Sequence, residues 1–434
     1  MTTTAEVVVW GRRIGAVAWD ERAAVARFQY VPQFAGSGIQ IAPLTMPLRT
    51  EPYAFPALAR ETFHGLPGLL ADALPDRYGT DLVDEWLARK GRLPGSLDPV
   101  ERLCISGERG MGALEFHPAK GLRSTSSDPL DIAELVAVAS AVLARRRGYA
   151  GSTAAAERER SLRRLLLVGT SAGGARAKAV IAWNRATGEV RSGQGAAPPG
   201  FEHWLLKFDG VGASGDHGLA DPAGYGAVEL AYARMAVEAG IAMEPCELLE
   251  EGGRRHFLTR RFDRTRDGRK LHLQSLGAMA HLDYNAAGAH SYEQALLVIR
   301  RLGLGMAAVE EQFRRMAFNV VARNQDDHVK NIAFLMEPDG RWRLSPAYDI
   351  TYAFNPGSPW TGLHQMALAG KRDGFALDDL RAVAATASMK RGRAERILGE
   401  VLDAVQQWPR HAAAAGVAPE RAERIGRAHR LAWS

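Results

Sequence analysis

The first thirty residues alternate hydrophobic and polar positions in the way that is typical of a β-meander. Three short runs rich in β-branched and aromatic residues are separated by turn-forming pieces; they are EVVVW, IGAVAW and VARFQY, at residues 6–10, 14–19 and 25–30. Residues 55–92 then have helical spacing, interrupted at Pro67 and Pro75. Residues 102–118 return to strand character. The pattern therefore predicts a small β-rich unit with helices between its strands.

The middle of the chain alternates predicted helices and strands. Asp128-Pro129 can cap a helix over residues 130–147. Residues 163–183 have the pattern of a strand, a glycine loop and a second strand. The segments that follow are predicted as a strand, an amphipathic helix and a hairpin, at residues 203–210, 225–240 and 244–265.

From about Leu271 onward the pattern is mainly helical. Residues 308–324 place Phe313, Met316, Ala317 and Val320 on one face of a helix that leads directly into the polar stretch RNQDDHVKN, residues 323–331. A hairpin follows over residues 332–344, and the tail from Leu377 is again helical.

Composition bounds the class of protein without deciding its function. The 434 residues are 46% hydrophobic and 24% charged, which is ordinary for a globular protein. The two cysteines, Cys104 and Cys246, have neither disulfide nor metal-ligand spacing, and no apolar run is long enough to span a membrane. We expect a cytoplasmic protein without a signal peptide. The net charge of +6 permits an acidic partner such as a nucleotide without requiring one.

RNQDDHVKN is the first candidate for chemistry. Asp326 and Asn331 are five residues apart where a predicted helix ends, and protein kinases use this spacing for a proton-accepting Asp and a metal-binding Asn. Asp349 follows the next hairpin, which would return the chain beside Asn331 and supply a second oxygen ligand for Mg²⁺. The alternative is structural: Asp326 and Asp327 cap a turn, and Lys330 neutralises them.

The glycine-rich stretch VGTSAGGARAK, residues 168–178, is the second candidate. Its backbone N–H groups could approach phosphate oxygens, and Lys178 adds positive charge. A rival hypothesis is a serine hydrolase, because Gly169 to Gly173 match G-x-S-x-G around Ser171, with Asp349 and His364 completing a triad. That elbow needs a helix after the serine, whereas the following residues have strand character. A plain hairpin loop is the third possibility.

Lys207 lies within the apolar run WLLKF and needs an anionic partner if it is buried. Glu229, at the start of the next predicted helix, is one candidate partner. The alternative is a lysine on an edge strand whose ammonium group reaches water.

Two stretches, RNQDDHVKNIAFL and WRLSPAYDI, closely resemble the signature of the HipA-type toxin Ser/Thr kinases of bacterial type II toxin–antitoxin systems. Four further motifs are similar to those of the family and fall in its order; they are VGTSAGGARAK, LLKF, TRRFDR and LPDRYG. The resemblance implies an α+β protein with a two-lobed kinase-like fold behind a small β-rich domain. The units would be residues 1–120, a β-rich lobe with the glycine loop over 121–262, and a helical lobe over 263–434, with the breaker-rich residues 120–130 as a boundary.

The resemblance also implies a set of site residues for ATP and Mg²⁺. Asp326 would be the catalytic base, and Asn331 and Asp349 would hold the metal ion. The residues in contact with ATP would be Gly173, Gly174, Ala175, Arg176, Ala177, Lys178, Lys207, Arg260, Arg261, Phe262, His328 and Tyr348. Arg260 departs from the family, where an acidic residue is expected at the hinge, and this puts the nucleotide preference in question.

The resemblance further implies a biological role. Autophosphorylation of Ser171, or less readily of Thr170, would inactivate the kinase. The substrate would be an aminoacyl-tRNA synthetase such as the glutamyl enzyme, whose phosphorylation arrests translation and leads to persistence. The partner would be a HipB-like helix-turn-helix antitoxin that binds operator DNA, and no membrane would be involved. A non-catalytic regulator with a kinase-like fold remains the alternative to an active enzyme.

Overall fold

The predicted β-meander forms part of a four-stranded antiparallel sheet. The computed structural model describes residues 3–120, 129–145, 155–169, 176–211 and 223–433. The sheet has the order β3-β2-β1-β4, and its strands are β1 (Thr4–Val9), β2 (Arg12–Asp20), β3 (Val25–Tyr30) and β4 (Leu114–His117). Val7, Val9 and Val17 are fully buried. One face of the sheet therefore builds the first of three hydrophobic clusters.

Short helices connect β3 to β4. They are α1 (Pro32–Ala35), α2 (Arg60–Phe63), α3 (Gly68–Ala71), α4 (Arg77–Arg89) and α5 (Pro99–Ser106). The prediction that residues 102–106 have strand character is wrong, because they belong to α5. A capping box explains this helix: Asp98 accepts a hydrogen bond from the backbone N–H of Glu101 at 2.9 Å, and Pro99 is pre-organised for the first turn.

A second sheet lies in the middle of the chain, with the order β6-β5-β7-β9-β8. Its strands are β5 (Lys178–Trp183), β6 (Val190–Ser192), β7 (Glu202–Lys207), β8 (Cys246–Glu251) and β9 (Arg254–Arg260), and the helices around it are α6 (Ile132–Arg145), α7 (Ala155–Gly169) and α8 (Tyr225–Glu238). The predicted hairpin at residues 244–265 is confirmed, because β8 and β9 pair antiparallel across Gly252 and Gly253.

The predicted strand before the glycine loop is wrong, since its residues form the end of α7. Leu162, Leu165 and Leu166 are buried, whereas Arg163 and Arg164 between them are exposed. This spacing of three and four residues is that of a helix. The short run of three adjacent leucines had suggested a strand. The glycine-rich stretch is therefore entered from a helix and left by β5.

The last part of the chain is mainly helical, as expected. Its strands are β10 (His272–Ser275), β11 (His290–Ser291), β12 (Ala333–Met336), β13 (Trp342–Leu344) and β14 (Met366–Ala367). Its helices are α9 (Leu276–Ala280), α10 (Tyr292–Arg301), α11 (Gly305–Val321), α12 (Leu377–Thr386), α13 (Arg393–Gln406), α14 (Trp408–Ala414) and α15 (Pro419–Ala428), with a 3₁₀ turn at Val329–Asn331. Among the helices that the structure describes, none combines the length and the hydropathy needed to cross a bilayer.

Helix α4 packs against the second sheet and its helices. Tyr78, Leu82, Val83 and Leu87 share a hydrophobic cluster with side chains of α6, α7 and the second sheet. The cluster around β1–β4 and the cluster of the helical C-terminal part are separate from it. Helix α4 therefore joins the N-terminal part of the chain to the second sheet.

Helix α8 crosses the second sheet at very short range, and Gly226 makes this possible. A Cβ atom at this position would lie 2.3 Å from the backbone oxygen of Arg255 and 3.2 Å from the backbone nitrogen of Phe257, both in β9. Neither backbone atom can move without disturbing the sheet. This close approach matters because α8 also carries Glu229.

We predict that Gly226→Ala lowers the free energy of unfolding by about 1–3 kcal/mol, because α8 must move away from β9 to admit the methyl group. Chemical denaturation followed by far-UV circular dichroism measures the change. The matched control is Gly399→Ala in α13, where nothing lies within 4 Å of the added Cβ. That substitution should instead stabilise the protein by about 0.5–1 kcal/mol through helix propensity. Equal effects at the two positions would contradict the close approach of α8.

Candidate active site

Lys207, at the end of β7, lies between two carboxylates. Its Nζ donates hydrogen bonds to Glu229 Oε1, from α8, and to Asp349 Oδ1, from the loop after β13. Strand β7 is flanked by β5 and β9, so the alternative of a lysine on an edge strand is wrong. Three residues that are distant in the chain thus form one ion-paired cluster.

The charges of this cluster support one another. Burial alone would lower the pKa of Lys207, but the carboxylates of Asp349 and Glu229 outweigh burial and raise that pKa. Burial would likewise raise the pKa of Asp349, but the Lys207 ammonium outweighs it and holds the pKa well below its ordinary value. Lys207 and Asp349 are therefore both charged at neutral pH.

Asp326 lies in the loop between α11 and the 3₁₀ turn. Its Oδ1 accepts a hydrogen bond of 2.6 Å from the indole Nε1 of Trp360, and its backbone oxygen accepts one of 2.8 Å from Asn331 Nδ2. Burial raises the pKa of Asp326, with His328 acting in the opposite direction. The carboxylate is thus held by a fixed donor and is more basic than a solvated one, which suits a general base.

The hairpin of β12 and β13 brings Asp349 back toward Asn331, as predicted. The two strands pair antiparallel, and the Tyr348 hydroxyl donates a hydrogen bond of 2.5 Å to the backbone oxygen of Lys330. The chain neighbours of Asp349 and Asn331 are therefore in direct contact. Asp349 has a φ of 53°, in the left-handed region, which costs a residue other than glycine about 1–3 kcal/mol. Strain of this kind is typical of functional sites.

The side chains of Asn331 and Asp349 suit a magnesium ion that is shared with a nucleotide. Both carry hard oxygen donors, and Mg²⁺ in nucleotide sites combines one or two protein oxygens with phosphate and water oxygens. Asn331 uses its Nδ2 for the bond to Asp326, so its Oδ1 is the end left for a cation. Asp349 would have to exchange its bond with Lys207 for a metal ion.

The predicted hinge residues are the last residue of β9 and the two that follow it, and their side chains have different surroundings. Arg260 forms ion pairs with two glutamates, and Arg261 is buried and binds Asp263 through hydrogen bonds of 2.9 and 2.7 Å. The ring centroid of Phe262 lies 5.4 Å from that of Tyr348. Phe262 is therefore the hinge side chain that lies beside Tyr348, whereas the two arginines are committed to carboxylates.

Part of the predicted glycine loop lies outside the described residues, namely residues 170–175, which include Thr170, Ser171, Gly173, Gly174 and Ala175. Of the others, Arg176 has its guanidinium 3.6 Å from the Glu229 carboxylate, and Ala177 is buried. Lys178 is only 2% exposed, and its Nζ lies 3.0 Å from Asp76 Oδ2. The two lysines predicted to contact ATP, Lys178 and Lys207, thus have separate carboxylate partners.

His328 and Lys330 share an aromatic neighbour. The ring of Tyr284 lies 5.7 Å from the His328 ring and 4.5 Å from the Lys330 ammonium, and the His328 ring is also 6.4 Å from that of Trp360. Lys330, which the sequence left without a specific role, therefore forms a cation–π contact instead of neutralising the two aspartates.

Asp327 connects the loop that contains it, between α11 and the 3₁₀ turn, to the segment that follows Asp349. It is buried and accepts hydrogen bonds from the Tyr292 hydroxyl at 2.6 Å, His364 Nδ1 at 2.8 Å and the Gln365 backbone N–H at 2.7 Å. Burial would raise the pKa of Asp327, but His364 and these hydrogen bonds outweigh it and lower the pKa. Its role is structural, as the sequence suggested, although the partners come from distant parts of the chain.

The geometry contradicts the hydrolase hypothesis. A triad requires Asp349 to orient His364, but Asp349 is bound to Lys207 and His364 to Asp327. Ser171 itself lies outside the described residues. The flanking elements are also in the wrong order, because a helix ends at Gly169 and a strand begins at Lys178, whereas a nucleophile elbow joins a strand to a helix.

Two site residues could not have been found from the sequence. Trp360 contacts Asp326 across 34 residues, and Asp76 contacts Lys178 from a helix in the N-terminal part. Neither belongs to a spacing pattern, so only the tertiary fold reveals them. The LPDRYG stretch, which contains Asp76, did carry a signal as part of the resemblance, but without a role.

Comparison with known families decides what kind of protein carries this site. A family model described as the HipA-like C-terminal domain matches residues 170–408, which is more than half of the chain. A second, described as the HipA N-terminal domain, matches residues 5–117. The chain belongs to the HipA family. The family expected from the sequence is thereby confirmed.

Curated relatives of this HipA-family chain match only in part. Y4mE of Sinorhizobium fredii, which is named as a kinase, is 28% identical over 137 residues, or 29% of this chain and 32% of that protein. A protein of Haemophilus influenzae, also named as a kinase, is 32% identical over 102 residues, or 22% of this chain and 30% of that protein. The chain therefore matches about a third of the length of each relative.

A solved structure of the family confirms the fold. HipA of Shewanella oneidensis MR-1, determined with HipB and its operator DNA, aligns with a TM-score of 0.66 and 17% identity over 98% of this chain and 94% of that one. At this identity the likeness concerns the fold alone. The HipA-family chain thus has the expected α+β architecture, with a β-rich N-terminal part, a five-stranded sheet in the middle and a mainly helical C-terminal part.

We predict that Asp327→Asn destabilises the protein by about 3–5 kcal/mol at pH 7, because three buried donors lose a charged acceptor. The pKa of Asp327 is lower in the folded state than its ordinary value of 3.8. Its contribution is therefore present above about pH 4 and is lost as the pH falls through the lowered value. Urea unfolding between pH 7 and pH 3.5 measures the free energy of unfolding of wild type and Asp327→Asn. The difference between the two should become smaller only below about pH 4.

Tyr292→Phe is the control for the same network. It removes one donor but leaves Asp327 charged and bound to His364 and Gln365, so it should cost only about 1 kcal/mol. The role given to Asp327 would be contradicted if Asp327→Asn lowered the free energy of unfolding no more than Tyr292→Phe does. It would also be contradicted if the loss in Asp327→Asn did not change between pH 7 and pH 3.5.

Proposed function

We propose that this HipA-family protein is an ATP- and Mg²⁺-dependent serine/threonine protein kinase. The observation that carries the proposal is the convergence of Lys207, Glu229 and Asp349 in one cluster beside Asp326. A phosphate-binding lysine held by a helix glutamate, a metal-binding carboxylate and a separate base are the parts that phosphoryl transfer requires. The kinase names of two partial relatives agree with it.

The proposed reaction moves a phosphoryl group from ATP to a substrate hydroxyl. Asp326 accepts the proton of that hydroxyl through Oδ2, because its Oδ1 is already occupied by the Trp360 indole. Lys207 remains bound to Glu229 and turns from Asp349 to the phosphates. Asn331 and Asp349 would hold the Mg²⁺, which supplies charge neutralisation on the phosphates when it is bound.

Nucleotide contacts are assigned to both lobes in this proposal. Phe262 and Tyr348 would contact the adenine end, with the main chain of Arg260 and Arg261 at the hinge, and His328 would line the site. The residues over the phosphates would be Gly173, Gly174, Ala175, Arg176, Ala177 and Lys178. The Arg260 guanidinium is ion-paired with two glutamates, so the hinge contact is assigned to its main chain and the preference for ATP is retained.

The biological role that we propose is that of the toxin of a toxin–antitoxin pair, acting in the cytoplasm. The family and the Shewanella HipA complex with HipB and operator DNA support a HipB-like antitoxin and operator DNA as partners. The substrate would be an aminoacyl-tRNA synthetase, such as the glutamyl enzyme, and its phosphorylation would arrest translation. Autophosphorylation at Ser171, with Thr170 as the second choice, would inactivate the kinase.

We predict that Asp326→Asn lowers the rate of phosphoryl transfer at least about 1000-fold while ATP still binds, because only the proton acceptor is lost. Asp349→Asn should abolish both transfer and Mg²⁺-dependent ATP binding. Radiolabelled γ-phosphate transfer and calorimetric titration with MgATP measure the two effects. Asp339→Asn is the matched control, because Asp339 is exposed in the β12–β13 turn and bonds only its neighbour Arg341 among the described residues.

Wild-type protein that neither hydrolyses nor transfers the γ-phosphate would contradict the kinase. ATP binding without turnover would instead favour the non-catalytic regulator. Mass spectrometry of the wild type after incubation with ATP tests the autophosphorylation, since phosphate should appear on Ser171 and be absent from Asp326→Asn. A fluorophosphonate probe that labels Ser171 would revive the hydrolase hypothesis.

We predict that induced expression of the wild type, but not of Asp326→Asn, arrests growth and leaves new phosphate on an aminoacyl-tRNA synthetase. The physical reason is that toxicity depends on the same base as phosphoryl transfer. Quantitative phosphoproteomics of the two strains, at matched protein levels, identifies the substrate. Equal toxicity of wild type and Asp326→Asn would show that the toxicity does not depend on kinase activity. New phosphate on a different protein would contradict only the proposed substrate.

A further inference from the structure

Helix α4, from the N-terminal part of the chain, contacts both ends of the glycine-rich stretch, at Gly169 and at Lys178. At one border, a Cβ atom on Gly169 would lie 2.9 Å from Leu82 Cδ1, 3.4 Å from the Tyr78 ring and 3.3 Å from the backbone oxygen of Lys178. At the other border, Lys178 is ion-paired with Asp76, the N-cap of α4. Both borders therefore meet the first turns of α4.

The pairing of β5 with β7 explains why Lys178 needs such a partner. Lys178 lies directly opposite Lys207 in this antiparallel pair, so the two side chains project from the same face of the sheet. Like charges in that position repel, and Lys178 is almost completely buried. Glu229 and Asp349 form ion pairs with Lys207, whereas Asp76 forms one with Lys178.

The Asp76 carboxylate is itself held in place. Its Oδ1 accepts a hydrogen bond of 2.6 Å from the backbone N–H of Gly79, which fixes the rotamer as a helix cap, and its Oδ2 faces the Lys178 ammonium. The cap leaves the negative charge at a defined point beside β5. Asp76 therefore has one oxygen for its own helix and one for the lysine.

The pairing register places Lys178 beside the cluster around Lys207. The two residues lie directly opposite each other in the β5–β7 pair, so Lys178 is next to the phosphate end of the proposed nucleotide site. Its carboxylate partner Asp76 nevertheless comes from another part of the chain.

We propose that Asp76 is a positioning residue for MgATP binding: it holds the Lys178 ammonium beside Lys207, so that the nucleotide site is complete only when α4 is docked on the second sheet. The inference rests on the proposed kinase function. Without the Asp76 charge, the Lys178 ammonium would lose the carboxylate that holds it opposite Lys207. It would then turn away, and the phosphates would lose one of two ammonium groups.

The test is the affinity for MgATP, measured by calorimetric titration of the full chain. Asp76→Asn keeps the oxygen that caps α4 and removes only the charge, and we expect it to weaken binding roughly tenfold or more. The matched control is Asp72→Asn, four residues away, whose buried carboxylate binds the Ser275 backbone N–H at 2.6 Å and hydroxyl at 2.9 Å. This control also removes a buried carboxylate of the N-terminal part, but should change affinity less than about threefold.

A double-mutant cycle identifies the route of the effect. If Asp76 acts through Lys178, then Lys178→Met alone and Lys178→Met with Asp76→Asn should bind MgATP equally weakly. Asp76→Asn that binds like wild type, or that weakens binding by the same factor with and without Lys178, overturns the inference while leaving the kinase proposal intact. A wild type that binds no MgATP overturns the kinase proposal and this inference with it.

Discussion

The structure depends on a charged and largely buried lysine, Lys207, in the middle of a sheet. Lys207 can remain charged on the central strand only because α8 supplies Glu229 and the loop after β13 supplies Asp349. That requirement fixes the distance of α8 from the sheet, which Gly226 makes short enough. It also pulls a loop of the helical part against the sheet. One buried charge thereby sets the relative positions of three distant segments of the chain.

The parts of this arrangement that are local in sequence could be predicted. The spacing of Asp326 and Asn331, the β12–β13 hairpin that returns Asp349, and the lysine in an apolar strand are patterns within about thirty residues. Each followed from residue type and periodicity alone. The prediction failed where a local signal was ambiguous, since adjacent leucines in α7 suggested a strand and the capping box of α5 was overlooked.

The contacts that could not be predicted are those between side chains with no common pattern. The Trp360 bond to Asp326 and two of the three donors around Asp327, His364 and Gln365, arise because the segment after Asp349 folds back over the loop that contains the two aspartates. Sequence spacing does not encode such a return, because it is fixed by packing across the whole helical part. The same holds for Asp76, which reaches Lys178 from outside the matched C-terminal family region.

The hydrophobic cluster that α4 shares with α6 and α7 crosses the borders of the two regions that the family models match. The first family region ends at residue 117 and the second begins at residue 170, and the interval between them contains all of α6 and α7. These helices cover the apolar side of α4 and of the second sheet. A chain cut at either family border would expose that cluster to water. Two family regions are matched, but the apolar surface that must be buried includes residues from both regions and from the interval between them.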